Sequence, residues 1–408
     1  MKCLWITLAD PEPAVTGQLI YSQGLIHAAQ IAGADLCVLG LSRPERREPP
    51  KNGPHVAWRL VAESPRSRLR RLLTPLPRVA QRGDSWPMHQ ALRLLLAERD
   101  WDAVVLDSIC AGWALPAVLR HRSRRPFPSK LVYLAHNHET LAAAHIAGES
   151  RGPRRLVRQL DALRVARLER RLVAEADLVT SNTPEDARAF AAKSATAPVA
   201  FLPPGYGGPR VASRSIDASL PRRAIIVGSF DWPPKRISLE RFLDVATPLF
   251  AEADIGLQVV GEVEQTYLDI LRRRYSSVDF VGRVEDARPY MARARIGVVP
   301  DLIGGFKLKG LDYVFNRVPI LAMRAALSGM PLHNDRSIGL FDSHQTLAQG
   351  VVDLIDDIDA LNRRQIAAFA ACAPRFDWAS IGRHLLRHIR RARRRGAPPP
   401  LTASAVAP

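Results

Sequence analysis

The sequence predicts an α/β protein built from two parallel β-sheets that face each other across a cleft. Short apolar runs alternate with helical stretches along most of the chain, which is typical of parallel strands joined by crossover helices. The pattern restarts after residues 203–221, a segment rich in proline, glycine and serine that is typical of an interdomain linker. The length of 408 residues suits two or three domains.

The first half begins with a buried strand over 2–8 and a helix over 19–31. Its further strands are predicted at 35–41, 102–107, 130–135 and 177–181. Residues 42–66 fit no element. Strands of the second half are predicted at 223–227, 255–260, 278–281, 296–299 and 319–322, with helices over 239–250, from near Gly310, and over about 378–395.

These elements predict a division of the chain into two domains. The expected boundaries are an N-terminal domain at 1–205, a linker at 206–221, a C-terminal domain at 222–373, a terminal helix at 374–395 and a disordered tail at 396–408.

Composition excludes several classes of protein. Hydrophobic residues make up 47% and charged residues 24% of the chain, as in ordinary globular proteins. No apolar run approaches the roughly 18 residues of a membrane-spanning helix, and the N-terminus lacks the apolar core of a secretory signal. The four cysteines, Cys3, Cys37, Cys110 and Cys372, are far apart and form no metal or disulfide pattern. We therefore expect a cytoplasmic protein.

The formal net charge is +18, and arginine concentrates in three segments at 64–83, 151–171 and 383–395. Each segment carries apolar residues at helical spacing. These are Leu69, Leu72, Leu73 and Leu76, then Leu156, Leu160, Leu163 and Ala166, and last Leu385, Leu386 and Ile389. Basic amphipathic helices favour an anionic membrane surface. A solvated helix face is the alternative, and nucleic acid is disfavoured because no aromatic residue lies in these segments for base stacking.

Ligands of parallel sheets bind beyond the carboxyl ends of the strands, so we sought candidate residues there. Gly17 follows the first strand, where backbone amides approach a phosphate, although an ordinary turn also uses glycine. His136 follows the strand at 130–135. Its imidazole would hydrogen-bond a substrate hydroxyl, cap the next helix, or bind a metal together with His138 and Glu139. The metal is disfavoured because no further ligand cluster completes it.

Two loops of the second half carry glycines and lysines. Gly228, Ser229 and Lys235 belong to the first loop, and the segment Gly304–Asp312 forms the second. Free amides at a helix start and lysine charges suit phosphates, while a carboxylate one turn later accepts hydrogen bonds from a ribose. Only seven of the 58 basic residues are lysines and three of these lie in the two loops, which favours a need for compact charge there, with chance clustering as the alternative.

Several motifs in this order resemble those of the retaining GT-B glycosyltransferases of family 4. They are ADLVTSNTPEDA (176–187), FLPPG (201–205), IIVGSFDWPPK (225–235), VDFVGRVED (278–286) and GGFKLKGLDYVFNRVPI (304–320). The resemblance covers almost the whole chain, and the last motif is the most specific. It implies a GT-B fold with two Rossmann-like domains, in which the terminal helix crosses back to the N-terminal domain.

The resemblance also implies roles for residues. Lys235 and Lys309 would contact the donor diphosphate and His136 the transferred sugar, which makes these three the catalytic set. The donor-binding set would be Gly17, Gly228, Ser229, Arg283, Val284, Gly305, Phe306, Lys307 and Asp312. Of these, Asp312 would bind the ribose, and Arg283 and Val284 would flank the nucleobase.

Three positions depart from the family pattern. Gly304 replaces a glutamate that binds the donor sugar, although Asp301 is near enough to substitute for it. Asp312 is one methylene shorter than the glutamate it replaces, and Pro204 replaces an asparagine.

The expected activity is transfer of a sugar, with retention and without a metal or cofactor, from a nucleoside diphosphate-sugar to a lipid-linked or polysaccharide-precursor acceptor. The enzyme would lie in the cytoplasm, peripheral to the inner membrane face. A non-catalytic, degenerate glycosyltransferase-like binding protein and a nucleotide-sugar 2-epimerase are the alternatives.

Overall fold

The fold consists of two parallel β-sheets, each flanked by helices, which confirms the predicted fold class. The structure is a computed structural model. It describes residues 1–44, 55–64, 74–194, 197–230, 232–302, 305–324 and 326–394. Most of the Leu69–Leu76 segment, Gly304 and the tail at 396–408 lie outside the described residues.

The N-terminal lobe is built on a seven-stranded sheet of order β3-β2-β1-β4-β5-β6-β7. Its strands are β1 Lys2–Ala9, β2 Asp35–Leu41, β3 Val56–Val61, β4 Ala103–Asp107, β5 Lys130–Ala135, β6 Leu178–Ser181 and β7 Val199–Phe201. Its helices are α1 Gly17–Ile31, α2 Arg78–Gln81, α3 Trp86–Glu98, α4 Leu115–Ser123, α5 Glu139–Gly148, α6 Pro153–Glu175 and α7 Pro184–Lys193, with a 3-10 helix at Ile109–Ala114.

The C-terminal lobe is built on a six-stranded sheet of order β10-β9-β8-β11-β12-β13. Its strands are β8 Arg223–Val227, β9 Gly256–Val260, β10 Val278–Gly282, β11 Ile296–Val299, β12 Ile320–Met323 and β13 Gly339–Phe341. The helices after β7 are α8 Pro233–Glu252, α9 Gln265–Arg274, α10 Arg288–Ala292, α11 Leu308–Phe315, α12 His344–Leu354, α13 Ile358–Cys372 and α14 Trp378–Arg391.

The segment 42–66, which fits no element in the sequence, contains edge strand β3. Alternation alone does not reveal this strand, because only Val56 is buried and the rest of β3 is half-buried or exposed. It pairs in parallel with β2 from Leu36↔Val56 to Leu41↔Val61. An edge strand with few side chains in the core has a weak hydrophobic pattern in its sequence.

The terminal helix α14 packs on the N-terminal lobe, against α1. Its apolar residues Leu385, Leu386 and Ile389 are buried in the core on that face of the sheet. Lys130 on β5 donates hydrogen bonds to the carbonyls of Ile389 and Arg390 at the end of the helix, at 2.8 and 2.6 Å. The expectation that this helix offers its apolar face to a membrane is therefore wrong, because the protein itself covers that face.

Trp378 opens α14 and fills the space beside two glycines. A Cβ on Gly24 of α1 would lie 2.1 Å from the indole, and one on Gly205, after β7, would lie 2.4 Å from it. Both positions therefore need glycine so that the helix can approach. The contact joins the start of α14 to α1 and to the segment between the two sheets.

Strand order places one crevice in each sheet. The order reverses between β1 and β4 in the N-terminal sheet and between β8 and β11 in the C-terminal sheet. Loops leaving the two strands at such a point diverge, and this is where open parallel sheets bind ligands. Gly17 and Ser108 follow β1 and β4, while Gly228 and Asp301 follow β8 and β11.

Candidate active site

The C-terminal wall of the cleft holds a buried carboxylate among lysines. Asp301, two residues beyond β11, forms an ion pair through Oδ2 with Nζ of Lys309 on α11. Burial alone would raise the pKa of Asp301, but the charges of Lys309, Lys307 and Lys235 lower it below its ordinary value. The structure thus brings the three lysines together, although Lys235 lies in the first turn of α8 and Lys307 and Lys309 lie at the start of α11.

The pKa of Lys307 responds to the nearby positive charges. Its pKa is lowered to about 8, first by burial and then by the positive charges of Lys309 and Lys235, against the opposing effect of Asp301. Three lysines near one carboxylate leave an excess of positive charge beside the first amides of α11, which begins at Leu308. Such a combination suits an anion with several oxygens, such as a diphosphate.

The N-terminal wall holds a buried imidazole paired with a carboxylate. His136, directly after β5, is 2.6 Å from Asp107 Oδ1 through Nε2. The other carboxylate oxygen of Asp107 accepts a hydrogen bond from Trp5 Nε1 at 2.9 Å. Burial alone would raise the pKa of Asp107, but His136, Trp5 and Ser22 lower it. The carboxylate at the end of β4 therefore stays charged and orients the imidazole.

The second ring nitrogen of His136 is the available one. Nδ1 is buried and has no hydrogen-bond partner in the described part of the chain. The ring also meets the edge of Tyr21, with centroids 4.9 Å apart, and the Tyr21 hydroxyl donates to the carbonyl of Leu202 at 2.6 Å. A buried ring nitrogen without a partner is suited to a substrate hydroxyl.

His138 has a different role from His136. It caps α5, since Nδ1 accepts a hydrogen bond from the Leu141 amide at 3.4 Å, and its ring stacks on Phe190. Its Nε2 is 2.8 Å from Lys193 Nζ. The two histidines thus face separate partners, and within the described ranges no group of three or more His, Cys, Asp or Glu residues could hold a metal ion.

The two walls of the cleft meet where the loop after β5, which contains His136, approaches the loop before α11, which contains Gly305. A Cβ on Gly305, whose φ is +98°, would lie 2.9 Å from Asn137 Oδ1. Only glycine fits this backbone and this close approach. On the other side, a Cβ on Gly17 would be 3.8 Å from Leu308. Gly17 and the loop of His136 therefore line the cleft opposite the segment that carries Lys307 and Lys309.

The remaining predicted residues belong to the C-terminal lobe. Gly228 and Ser229 follow β8, and the Gly228 amide donates to the carbonyl of Val260 at 3.0 Å. The guanidinium of Arg283 forms an ion pair with the carboxylate of Glu262 at 3.2 Å. Val284 lines a cavity of about 480 Å³ that Gln258 and Tyr290 also line.

Asp312 and Phe306 have protein partners. Burial raises the pKa of Asp312 to about 6, while a hydrogen bond from Tyr206 opposes the shift. Tyr206 in turn stacks on Phe315, with centroids 4.6 Å apart. The ring of Phe306 packs edge-on against Phe376, with centroids 5.7 Å apart.

Sequence reasoning missed Asp107 and Tyr206. Asp107 ends a predicted strand, and its position beside the switch point of the sheet was the one feature that could have marked it. Tyr206 lies in a segment without periodicity, so only the fold brings it to Asp312.

Comparison with known proteins bears on this geometry. Residues 221–357 match the family model of glycosyl transferases group 1. No curated protein matches the chain in sequence. Within the described residues, no helix has both the length and the apolar character needed to cross a bilayer.

Solved structures match over almost the whole chain. Sucrose-phosphate synthase from Thermosynechococcus elongatus has a TM-score of 0.71 and 20% identity, covering 96% of this chain and 98% of that one. WaaG, a glycosyltransferase involved in lipopolysaccharide biosynthesis, has a TM-score of 0.67 and 16% identity, covering 95% and 99%. Anabaena HepE in complex with UDP-glucose has a TM-score of 0.62 and 16% identity, covering 96% and 99%. These likenesses show the GT-B fold, and with the matched domain they support a glycosyltransferase.

Proposed function

We propose that the protein transfers a sugar from a nucleoside diphosphate-sugar to an acceptor hydroxyl, with retention of the anomeric configuration. The observation that carries the proposal is the excess of lysine charge around Asp301, opposite His136 across the cleft. A neighbour of the same fold, Anabaena HepE, is described in complex with UDP-glucose, which favours a uridine nucleotide as the first donor to try.

The chemistry needs stabilisation of a leaving diphosphate. The bond between the anomeric carbon and the diphosphate oxygen breaks, and the electron pair leaves with the phosphate. Lys235, Lys307 and Lys309, with the amides that open α11, would stabilise the growing negative charge without a metal ion. The acceptor oxygen bonds to the same face of the sugar, and its proton passes to the departing phosphate.

The N-terminal wall would hold the sugar. His136 Nδ1 would hydrogen-bond a hydroxyl of the transferred sugar, while Asp107 fixes the ring. Gly17 would approach the diphosphate from the other side. Asp312 would bind the ribose, with Tyr206 holding its carboxylate, and Arg283 and Val284 would lie near the base. The acceptor is a lipid-linked or polysaccharide-precursor saccharide on the cytoplasmic side.

Thermal unfolding with nucleotides tests the donor site, because a ligand that binds the folded state raises its melting temperature. Uridine, UMP, UDP and UDP-sugars are compared, as are the other nucleoside diphosphates. We expect diphosphates to stabilise more than monophosphates in the wild type, and less so in Lys309→Ala. The absence of any shift with every diphosphate would contradict the proposal.

Product analysis tests the reaction. Incubation of the stabilising donor with saccharide acceptors should release the nucleoside diphosphate and give a product with the donor's anomeric configuration by NMR. Formation of an isomeric nucleotide-sugar without acceptor would instead identify an epimerase. Donor binding without turnover on any acceptor would identify a binding protein.

A further inference from the structure

The helical hairpin of α5 and α6 has an exposed apolar face with arginine beside it. Leu156, Leu160 and Leu163 on α6 are 66%, 60% and 66% exposed, and Leu141 on α5 is 61% exposed. Val157 is also exposed. Isolated exposed leucines are common on protein surfaces, but a contiguous group along one helix face marks an interaction site.

The same face of α6 continues as arginine. Arg167 and Arg170 follow Leu163 at the i+4 and i+7 positions, so they extend the leucine stripe along the helix. The opposite face packs into the lobe through Val165, Leu168 and Leu172. Six arginines of residues 151–171 are exposed: Arg151, Arg154, Arg155, Arg167, Arg170 and Arg171. This surface thus combines apolar side chains with a dense positive charge.

The hairpin is joined to the cleft. Glu169 of α6, itself buried, accepts hydrogen bonds from the amides of Glu139 and Thr140 at 2.7 and 3.2 Å, just beyond the loop of His136. At the tip of the hairpin, Glu149 pairs with Arg241 of the C-terminal lobe at 2.9 Å. A surface that binds α6 would therefore lie beside the entrance of the cleft, where the acceptor arrives.

We propose that the α5–α6 face docks on an anionic lipid bilayer and so presents the cleft to acceptors held in that membrane. Leucines enter the headgroup region while the arginines contact anionic headgroups, which explains why both residue types share one face. The inference deepens the proposed function, because it assigns the acceptor to a membrane surface. Only the assignment of the acceptor to the membrane rests on the proposed function. Binding to the bilayer does not, because vesicle binding is measured without turnover.

Vesicle flotation tests the inference with the full chain. The wild type is expected to float with vesicles of equal parts phosphatidylglycerol and phosphatidylcholine at low salt, to dissociate at high salt, and to stay behind with phosphatidylcholine alone. The variant Leu156→Gln/Leu160→Gln/Leu163→Gln should bind about tenfold more weakly or worse. The variant Arg167→Gln/Arg170→Gln should bind the anionic vesicles more weakly, and its binding should depend less on salt.

A matched control removes the same number of exposed apolar side chains elsewhere. Leu94, Ile270 and Ile366 are exposed on α3, α9 and α13, and the triple change of these residues to Gln should leave vesicle binding unchanged. The melting temperature and the UDP-induced shift of both triple variants should equal those of the wild type, which shows that folding and donor binding are intact.

Several outcomes would overturn the inference. These are no flotation of the wild type, equal flotation with both lipid compositions, or equal loss in the control variant. If light scattering shows a dimer that the leucine changes dissociate, the face binds a second copy of the chain. If the protein binds RNA but not vesicles, the face binds nucleic acid. In each case an intact UDP shift would leave the proposed function standing.

Discussion

The two walls of the cleft arrange buried charge in opposite ways. On the C-terminal wall, Lys235, Lys307 and Lys309 act on the buried carboxylate of Asp301, with Asp186 as a weaker influence on Lys307, so positive charge is in excess. On the N-terminal wall, His136 and Asp107 form a matched pair. An excess of one sign attracts a mobile counter-ion, whereas a matched pair fixes the geometry of its members. This difference fits the proposed function, in which the C-terminal wall binds the diphosphate and the N-terminal wall orients a group of the donor sugar.

The largest effect is expected when positive charge is removed from the C-terminal wall. Lys235→Ala and Lys309→Ala should each lower the transfer rate by about 10²-fold or more, comparable to the loss of one charge-stabilising donor. The rate of nucleoside diphosphate release measures this. Near-normal rates in both variants would show that the lysine charge is not needed for transfer.

A control is needed because Lys309→Ala leaves Asp301 buried beside one cation fewer. The double variant Asp301→Asn/Lys309→Ala removes both partners of the ion pair. We expect it to recover melting temperature relative to Lys309→Ala but not to recover the transfer rate. Recovery of both would assign Lys309 a purely structural role.

The next test changes the matched pair. Asp107→Asn should lower kcat/KM roughly tenfold or more, because an amide neither carries the charge nor fixes the proton position of His136. It should also change the shape of the pH profile, which a loss of packing alone would not do. An unchanged profile with reduced stability would mean that Asp107 only supports the fold.

The pKa of Lys307, about 8, predicts a pH dependence of donor affinity. A bound diphosphate favours the charged amine, so affinity is full below that value and falls as the pH rises through it. The Kd for UDP should weaken about fivefold between roughly pH 7.5 and 9, since phosphate is already fully ionised there.

Lys307→Arg provides the matched control for this pH dependence. Arginine stays protonated over the whole range, so the Kd for UDP should become flat with pH. Titration calorimetry at each pH measures both proteins. The same decline in both would assign the effect to another group.

The smallest effect is expected at Trp5. Trp5→Phe removes the N–H that reaches Asp107 but keeps most of the ring, and His136 and Ser22 still hold the carboxylate. We expect less than about a threefold loss of activity and a loss of stability of about 1–3 kcal/mol. A loss as large as that of Asp107→Asn would make Trp5 an equal member of the pair.

The sequence predicted ten of the thirteen strands that the structure describes, because buried parallel strands are continuous apolar runs. The three that it missed, β3, β7 and β13, lie at sheet edges. It also marked Lys235 and Lys309, since lysine is rare in this chain. Asp107 could not be paired with His136 from the sequence, because their proximity depends on β4 and β5 being neighbours, which is a property of strand order.

The basic helices show the same limit. α6 and α14 have similar patterns of leucine and arginine, yet Leu385 is buried against the protein and Leu160 is exposed. Amphipathic spacing predicts that a face needs a partner. Whether the partner is the protein itself depends on contacts between residues far apart in the chain, as between α14 and α1.

The position of α14 has a consequence for biosynthesis. Helix α14 follows the second lobe in the chain, yet it supplies Ile381, Leu385, Leu386 and Ile389 to the core of the sheet that precedes that lobe. The part of that sheet face that α1 does not cover therefore stays exposed while the ribosome translates the whole second lobe. The N-terminal sheet therefore gains this cover only after the second lobe has been made, and a chain truncated before Trp378 would expose an apolar surface that chaperones and proteases recognise.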